Sequence, residues 1–257
     1  MGVKWGRAVS TLDAVISVSE DGFDVAELAV ELLMGPSDDA FRERARELEA
    51  TGLGFDVFNT LLPGRVQVTE QGFNIYVWSE YLKRALERVA ALGGRKIVWS
   101  SGRARLLPIE GEVAAAKRQA LQFLFMVSEL AESHDIQILV EPLDPRRTNF
   151  LNTVAEVAEF LDLAGASNLS AAISLRDLEA IGLGHTEFSR YRDLISHVYL
   201  ENPSVAAGPR AAPGSGDGYD YSSFFTDLKE IGYSGTITLP ESADASNLSF
   251  CRDLLIN

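Results

Sequence analysis

Leu139–Thr153, LVEPLDPRRTNFLNT, is the stretch whose reading decides the fold. The apolar run from Ile136 to Val140, broken only by Gln137, predicts a buried strand. Glu141 follows at its carboxyl end, and Pro142, which has no N–H to donate, stops the ladder there. A polar loop then leads to Thr153-Val154-Ala155-Glu156, the spacing of a capping box, so a helix opens immediately. Chemistry in α/β folds gathers beyond the carboxyl ends of parallel strands, which is where this unit delivers its carboxylate.

Working outward, the same alternation recurs on both sides. Upstream, Val3–Val9, Phe23–Leu33, Phe55–Leu62 and Lys96–Ser100 read as strands. Ser37 and Asp38 cap a helix over Asp39–Ala50, which Gly52-Leu53-Gly54 ends. Leu82, Leu86 and Val89 share one face of a second helix, and Leu121, Leu124, Phe125 and Ser128 trace the face of a third. Downstream, Val154, Val157, Ala158 and Leu161 form an apolar stripe, and strands are expected over Leu169–Leu175, Ile195–Leu200 and Gly235–Leu239. A segment rich in Gly, Pro, Ala and Ser runs from Asn202 to Tyr219, Asp220 caps the next helix, and Asn247–Ile256 forms the last. Such alternation implies parallel strands joined by right-handed crossovers. Eight units in 257 residues fit an α/β fold with one closed (β/α)8 barrel, a TIM barrel over residues 1–257, better than a doubly wound open sheet.

Composition narrows the function. With 46% hydrophobic and 23% charged residues the chain reads as ordered and globular. A formal net charge of −14 opposes binding to nucleic acid or to an anionic membrane, and no stretch is long and apolar enough to span a bilayer. Cys251 is the single cysteine, so no internal disulfide forms and a cytoplasmic location is expected. Glu141 is the candidate catalytic base. Arg103 and Arg105 on one strand-end loop, with Arg146 and Arg147 on another, point to an anionic ligand. His197 reads as an inward-facing histidine, while His134 and His185 read as surface or loop residues.

Four phrases occur in order: Val57–Gly64; Ser101–Arg105; Glu141-Pro142-Leu143 with Thr148–Thr153; and Gly214–Tyr221 with Leu228–Tyr233. Together they resemble the xylose-isomerase-like barrel family of sugar isomerases and epimerases, especially its ketose 3-epimerase branch, over most of the chain. The resemblance implies one divalent metal, Mn or Mg, held by a Glu after strand five, an Asp after strand six, a His on strand seven and a Glu after strand eight. It also implies that the two glutamates move a proton beside a carbonyl polarised by the metal.

Carried onto this sequence, those four positions fall on Glu141, Ser174, Tyr199 and Pro240. Tyr and Ser are poor replacements for hard-cation ligands, so no ordered metal is expected. A rearranged set of Glu141, Asp177, His197 and Glu241 is the alternative. His197, Asp177 and Tyr199 are then expected to contact substrate, together with Arg103, Arg105 and Arg147. The resemblance thus implies an isomerase-like enzyme acting on a ketose or a related, anionic carbohydrate by proton transfer, with a degraded metal site. The competing expectation is a non-catalytic or metal-independent descendant that binds a sugar-like ligand or a protein partner; a homodimer is left open. A DNA-repair endonuclease on the same barrel is disfavoured by only three histidines and the charge of −14.

Overall fold

Parallel hydrogen bonding runs around a complete ring. The computed structural model describes residues 2–182, 188–204 and 208–256, so His185 lies outside the described residues. Among them, β1 (Lys4–Val9), β2 (Val25–Ala29), β3 (Val57–Asn59), β4 (Lys96–Trp99), β5 (Gln137–Val140), β6 (Leu169–Ser174), β7 (Ile195–Tyr199) and β8 (Thr236–Leu239) pair in sequence order and close through β1 and β8. Helices α1 (Val15–Glu20), α2 (Val30–Met34), α3 (Asp38–Glu49), α4 (Ile75–Ala91), α5 (Val113–Glu132), α6 (Val154–Ala164), α7 (Leu175–Ala180), α8 (Ser222–Glu230) and α9 (Ala245–Ile256) lie between and after the strands. This is the (β/α)8 barrel expected from the alternation.

Two apolar clusters show which way each side chain points. Phe58, Ile97, Trp99, Ile138, Val140, Ile173 and Val198 join the large cluster formed with the helices. Val57, Val98, Leu139, Ala172 and Tyr199, the alternate positions on five of the same strands, form a separate cluster inside the ring. Two residues beyond Val57, Leu139 and Ala172, the same parity brings Asn59, Glu141 and Ser174 to the barrel mouth.

The structure corrects several sequence boundaries. The expected strand Phe23–Leu33 extends only over Val25–Ala29, and Val30–Met34 is helical. From Val25 to Leu33 the apolar residues are interrupted only by Glu27 and Glu31, which sets no period with which to separate a buried strand from a buried helix. The strand expected over Phe55–Leu62 shrinks to Val57–Asn59 because Thr60 turns the chain at φ 54°. Leu175 leaves β6 and opens α7, with the Ser174 hydroxyl accepting from Asp177 N at 3.2 Å. On α5 the buried face is Ala116, Ala120, Phe123, Leu124, Val127, Ser128 and Ala131, whereas Phe125 is exposed. Asp220 does accept a backbone hydrogen bond, from Ser222 N at 2.9 Å, but it lies one residue before the capping position.

Candidate functional site

The loop after β5 is built by its own sequence. Asn152 Nδ2 donates to the carbonyls of Leu143 (2.6 Å) and Thr148 (3.0 Å), and Leu143 N donates to Leu151 O at 3.2 Å. Thr153 and Glu156 form the expected capping box and start α6 directly behind this loop. Leu151 holds φ 60°, and Thr60 across the mouth holds φ 54°; such backbones cost about 1–3 kcal/mol each and concentrate around sites. Gly102 is required by close approach, since a Cβ there would lie 2.4 Å from the carbonyl oxygen of Arg147.

A cavity of about 730 Å³ opens at the mouth, lined in part by Glu27, Asn59, Glu141, Tyr199, Glu201 and Arg210. A second, of about 480 Å³, adjoins it through Arg147 and Arg210 and reaches Asp144, Arg146, Arg176 and Asp177. Glu141 is fully buried, and neither of its carboxylate oxygens has a hydrogen-bond partner. Burial pushes its pKa up to about 7; the guanidinium groups of Arg210 and Arg147 oppose that shift without cancelling it.

Glu27, on β2, stands inside the ring. Its Oε1 accepts from Asn59 Nδ2 and Tyr199 Oη, each at 2.8 Å, and its Oε2 lies 3.3 Å from His197 Nε2. Burial works to raise its pKa, but His197 and Asn59 outweigh that and hold it below the ordinary carboxylate value. The His197 ring meets Tyr199 edge to face at 4.6 Å, and the histidine expected to touch substrate is fully buried within the barrel and does not line the cavity.

The remaining mouth charges are paired. Arg147 donates to Asp177 Oδ2 at 2.9 Å, and Arg146 makes a forked pair with Asp144. Arg210 donates to Glu201 Oε1 and lies 3.7 Å from Asp177 Oδ2 and 3.9 Å from Glu141 Oε1. Burial alone depresses the Arg210 pKa, yet Glu201 and Glu141 raise it well above the ordinary value. Glu201 Oε2 accepts from Ser174 Oγ at 3.1 Å.

Of the other expected site residues, Arg105 is wholly buried beneath the mouth. It donates to the carbonyl oxygen of Glu141 and, at 3.5 Å, to that of Leu151, and burial brings its pKa down to about 9. It therefore fixes the strand end that carries Glu141, and it lines neither cavity. Arg103 is exposed and lines neither cavity. Glu241 accepts from the backbone N and hydroxyl of Ser10, at 3.0 and 2.7 Å, on the rim. The set Glu141, Asp177, His197 and Glu241 is thus not brought together, and among the described residues no group of three His, Cys, Asp or Glu side chains is arranged to hold a metal ion.

A divalent metal does not fit the side chains present. Ser174 donates to Glu201, Tyr199 donates to Glu27, and a guanidinium lies among Glu141, Asp177 and Glu201. A hard cation needs several free oxygen ligands, and these oxygens are either engaged or faced by positive charge.

Comparison with known proteins accords with the barrel. The profile of the xylose isomerase-like TIM barrel family matches residues 16–248, and the chain belongs to that family. No curated protein matches the sequence. Among solved structures, a D-psicose 3-epimerase in the presence of D-fructose superposes with a TM-score of 0.81 at 16% identity, covering 99% of this chain and 100% of that one. A D-allulose 3-epimerase from Methylomonas sp. gives 0.82 at 19%, covering 99% and 98%. A 3-keto-D-glucoside 4-epimerase from E. coli gives 0.79 at 20%, covering 98% and 99%. At such identities the likeness shows the fold. Among the described residues no helix is long and apolar enough to cross a membrane.

Proposed function

We propose that the mouth binds a small ketose or related carbohydrate and that Glu141 removes a proton from the carbon beside its carbonyl. The observation that carries this reading is Glu141 itself: fully buried, with neither oxygen hydrogen-bonded and a pKa raised to about 7. A carboxylate poised near neutrality suits a general base, because it is partly ionised and still holds an abstracted proton well. Charge developing on the carbonyl oxygen meets the guanidinium groups of Arg147 and Arg210, which line the same cavity and supply donors in a partly enclosed setting. Those arginines also suit an anionic sugar, although their pairing with Asp177 and Glu201 leaves less charge to spare than the sequence suggested. A cytoplasmic location belongs to the same reading.

One observation favours a second reading. The family's chemistry, as the resemblance implies it, uses two glutamates. Here, among the described carboxylates lining the larger cavity, Glu27, Glu201 and Glu241 are all hydrogen-bonded to partners, and only Glu141 is not. A metal-independent descendant that binds a sugar without turning it over would have this distribution.

Proton exchange separates the two. Ketoses incubated with the protein in deuterium oxide should gain deuterium beside the carbonyl, and Glu141→Gln should slow that gain by at least about a hundredfold. Exchange undiminished in the variant places the base elsewhere. Saturable binding without exchange establishes the second reading.

A further inference from the structure

We propose that Arg210 is the resident cation of this barrel mouth, standing in place of a divalent metal. Three carboxylates from consecutive strand ends converge on its guanidinium: Glu141 after β5, Asp177 in the first turn of α7 after β6, and Glu201 after β7. Two of the three have a further partner, Ser174 for Glu201 and Arg147 for Asp177. The strand-six position from which the resemblance implies a ligand therefore carries a hydroxyl that donates to a carboxylate. The Tyr199 hydroxyl is likewise directed to Glu27.

The arginine is also held in place. Its own carbonyl oxygen accepts from Ser242 Oγ at 3.2 Å, and the next residue's carbonyl accepts from Asn202 N at 2.9 Å, tying the segment to the ends of β8 and β7. Its side chain is about one-third exposed, so it faces the cavity while its charge is balanced from behind.

The exchange of one cation for another has chemical consequences. A guanidinium is permanently charged, cannot be chelated, and acts on a ligand oxygen through directed N–H donors rather than open coordination positions. A divalent ion approaching the same carboxylates meets like charge at all three and, at Asp177 and Glu201, acceptors already in use. This assignment concerns the resident charge and holds whichever carbohydrate the mouth accepts, so it stands or falls separately from the proton-exchange test.

Thermal melting of the full chain tests it. Wild-type protein should melt within about a degree of the same temperature in EDTA, in excess MnCl2 and in excess MgCl2, because a ligand of the folded state alone raises stability by mass action. Arg210→Ala should melt several degrees lower, since it leaves buried carboxylates uncompensated, and methylguanidinium should restore part of that loss where methylammonium does not. Should the alanine variant not fold, Arg210→Lys, which keeps the charge and loses the fork, is compared instead and should be as indifferent to manganese as wild type. Stabilisation of wild type or Arg210→Lys by several degrees in MnCl2, reversed by EDTA, overturns the proposal. So does an alanine variant as stable as wild type.

Discussion

At the scale of single residues, the balance at Glu141 makes the folded protein sensitive to pH. Its pKa of about 7 lies above the ordinary 4.5, so the folded state binds the proton more tightly than the unfolded chain. The associated stability is fully present below about pH 4.5 and is lost as the pH rises through about 7; the full shift corresponds to about 3 kcal/mol. Glu141→Gln, always neutral, should therefore melt higher than wild type above about pH 7, with the difference closing on acidification. A wild type equally stable at alkaline pH would show that the arginines, not burial, dominate this carboxylate. The sequence located Glu141 because a proline-stopped strand is a local signal. It gave no role to Glu27, although Glu27 lies two residues beyond buried Val25 and so shares its face. Arg210 sits in a stretch of Gly, Pro and Ala without any period, where only the closed fold brings it to Glu201. Arg105 reads as a ligand clamp in sequence because a charged residue announces that it needs a partner, not that the partner is two backbone carbonyls.

At the scale of elements, α6 is the helix most completely specified by local sequence. Thr153 Oγ1 accepts from Glu156 N at 3.1 Å, and the Glu156 carboxylate accepts in return from Thr153 N at 3.3 Å and Asn152 N at 2.6 Å. Gly165, at φ 66°, ends the helix in the left-handed conformation. Thr153→Ala should lower the unfolding free energy by about 1 kcal/mol, measured as a shift of the denaturant midpoint with an unchanged slope. No shift would mean that packing of Val154, Val157 and Phe160 alone fixes the start of α6. Elements with such end signals were legible, and those without were not. The β2–α2 junction passes from buried Val25 to buried Leu33 with no polar residue to mark the turn except Glu27 and Glu31. The β3 strand was overdrawn because Leu61 and Leu62 are as buried as Phe58 while lying outside the ladder.

At the scale of the whole molecule, closure between β1 and β8 is the step on which every strand end depends. Gly6 faces β8 so closely that a Cβ would lie 2.8 Å from Thr238 Oγ1 and 3.2 Å from Thr236 Cγ2. Gly6→Val should therefore strain the seam and cost about 1–3 kcal/mol in equilibrium unfolding, with Gly6→Ala closer to wild type. A valine variant of undiminished stability would reveal slack inside the ring. Inside that ring, Val57, Val98, Leu139, Ala172 and Tyr199 pack against one another across the axis. The cavity consequently lies on the strand-end side of this apolar layer, so the ring encloses packed side chains and the chemistry-bearing residues gather at one face. On the proposed reading, a free monosaccharide enters from this face and meets Glu141, which lines the cavity.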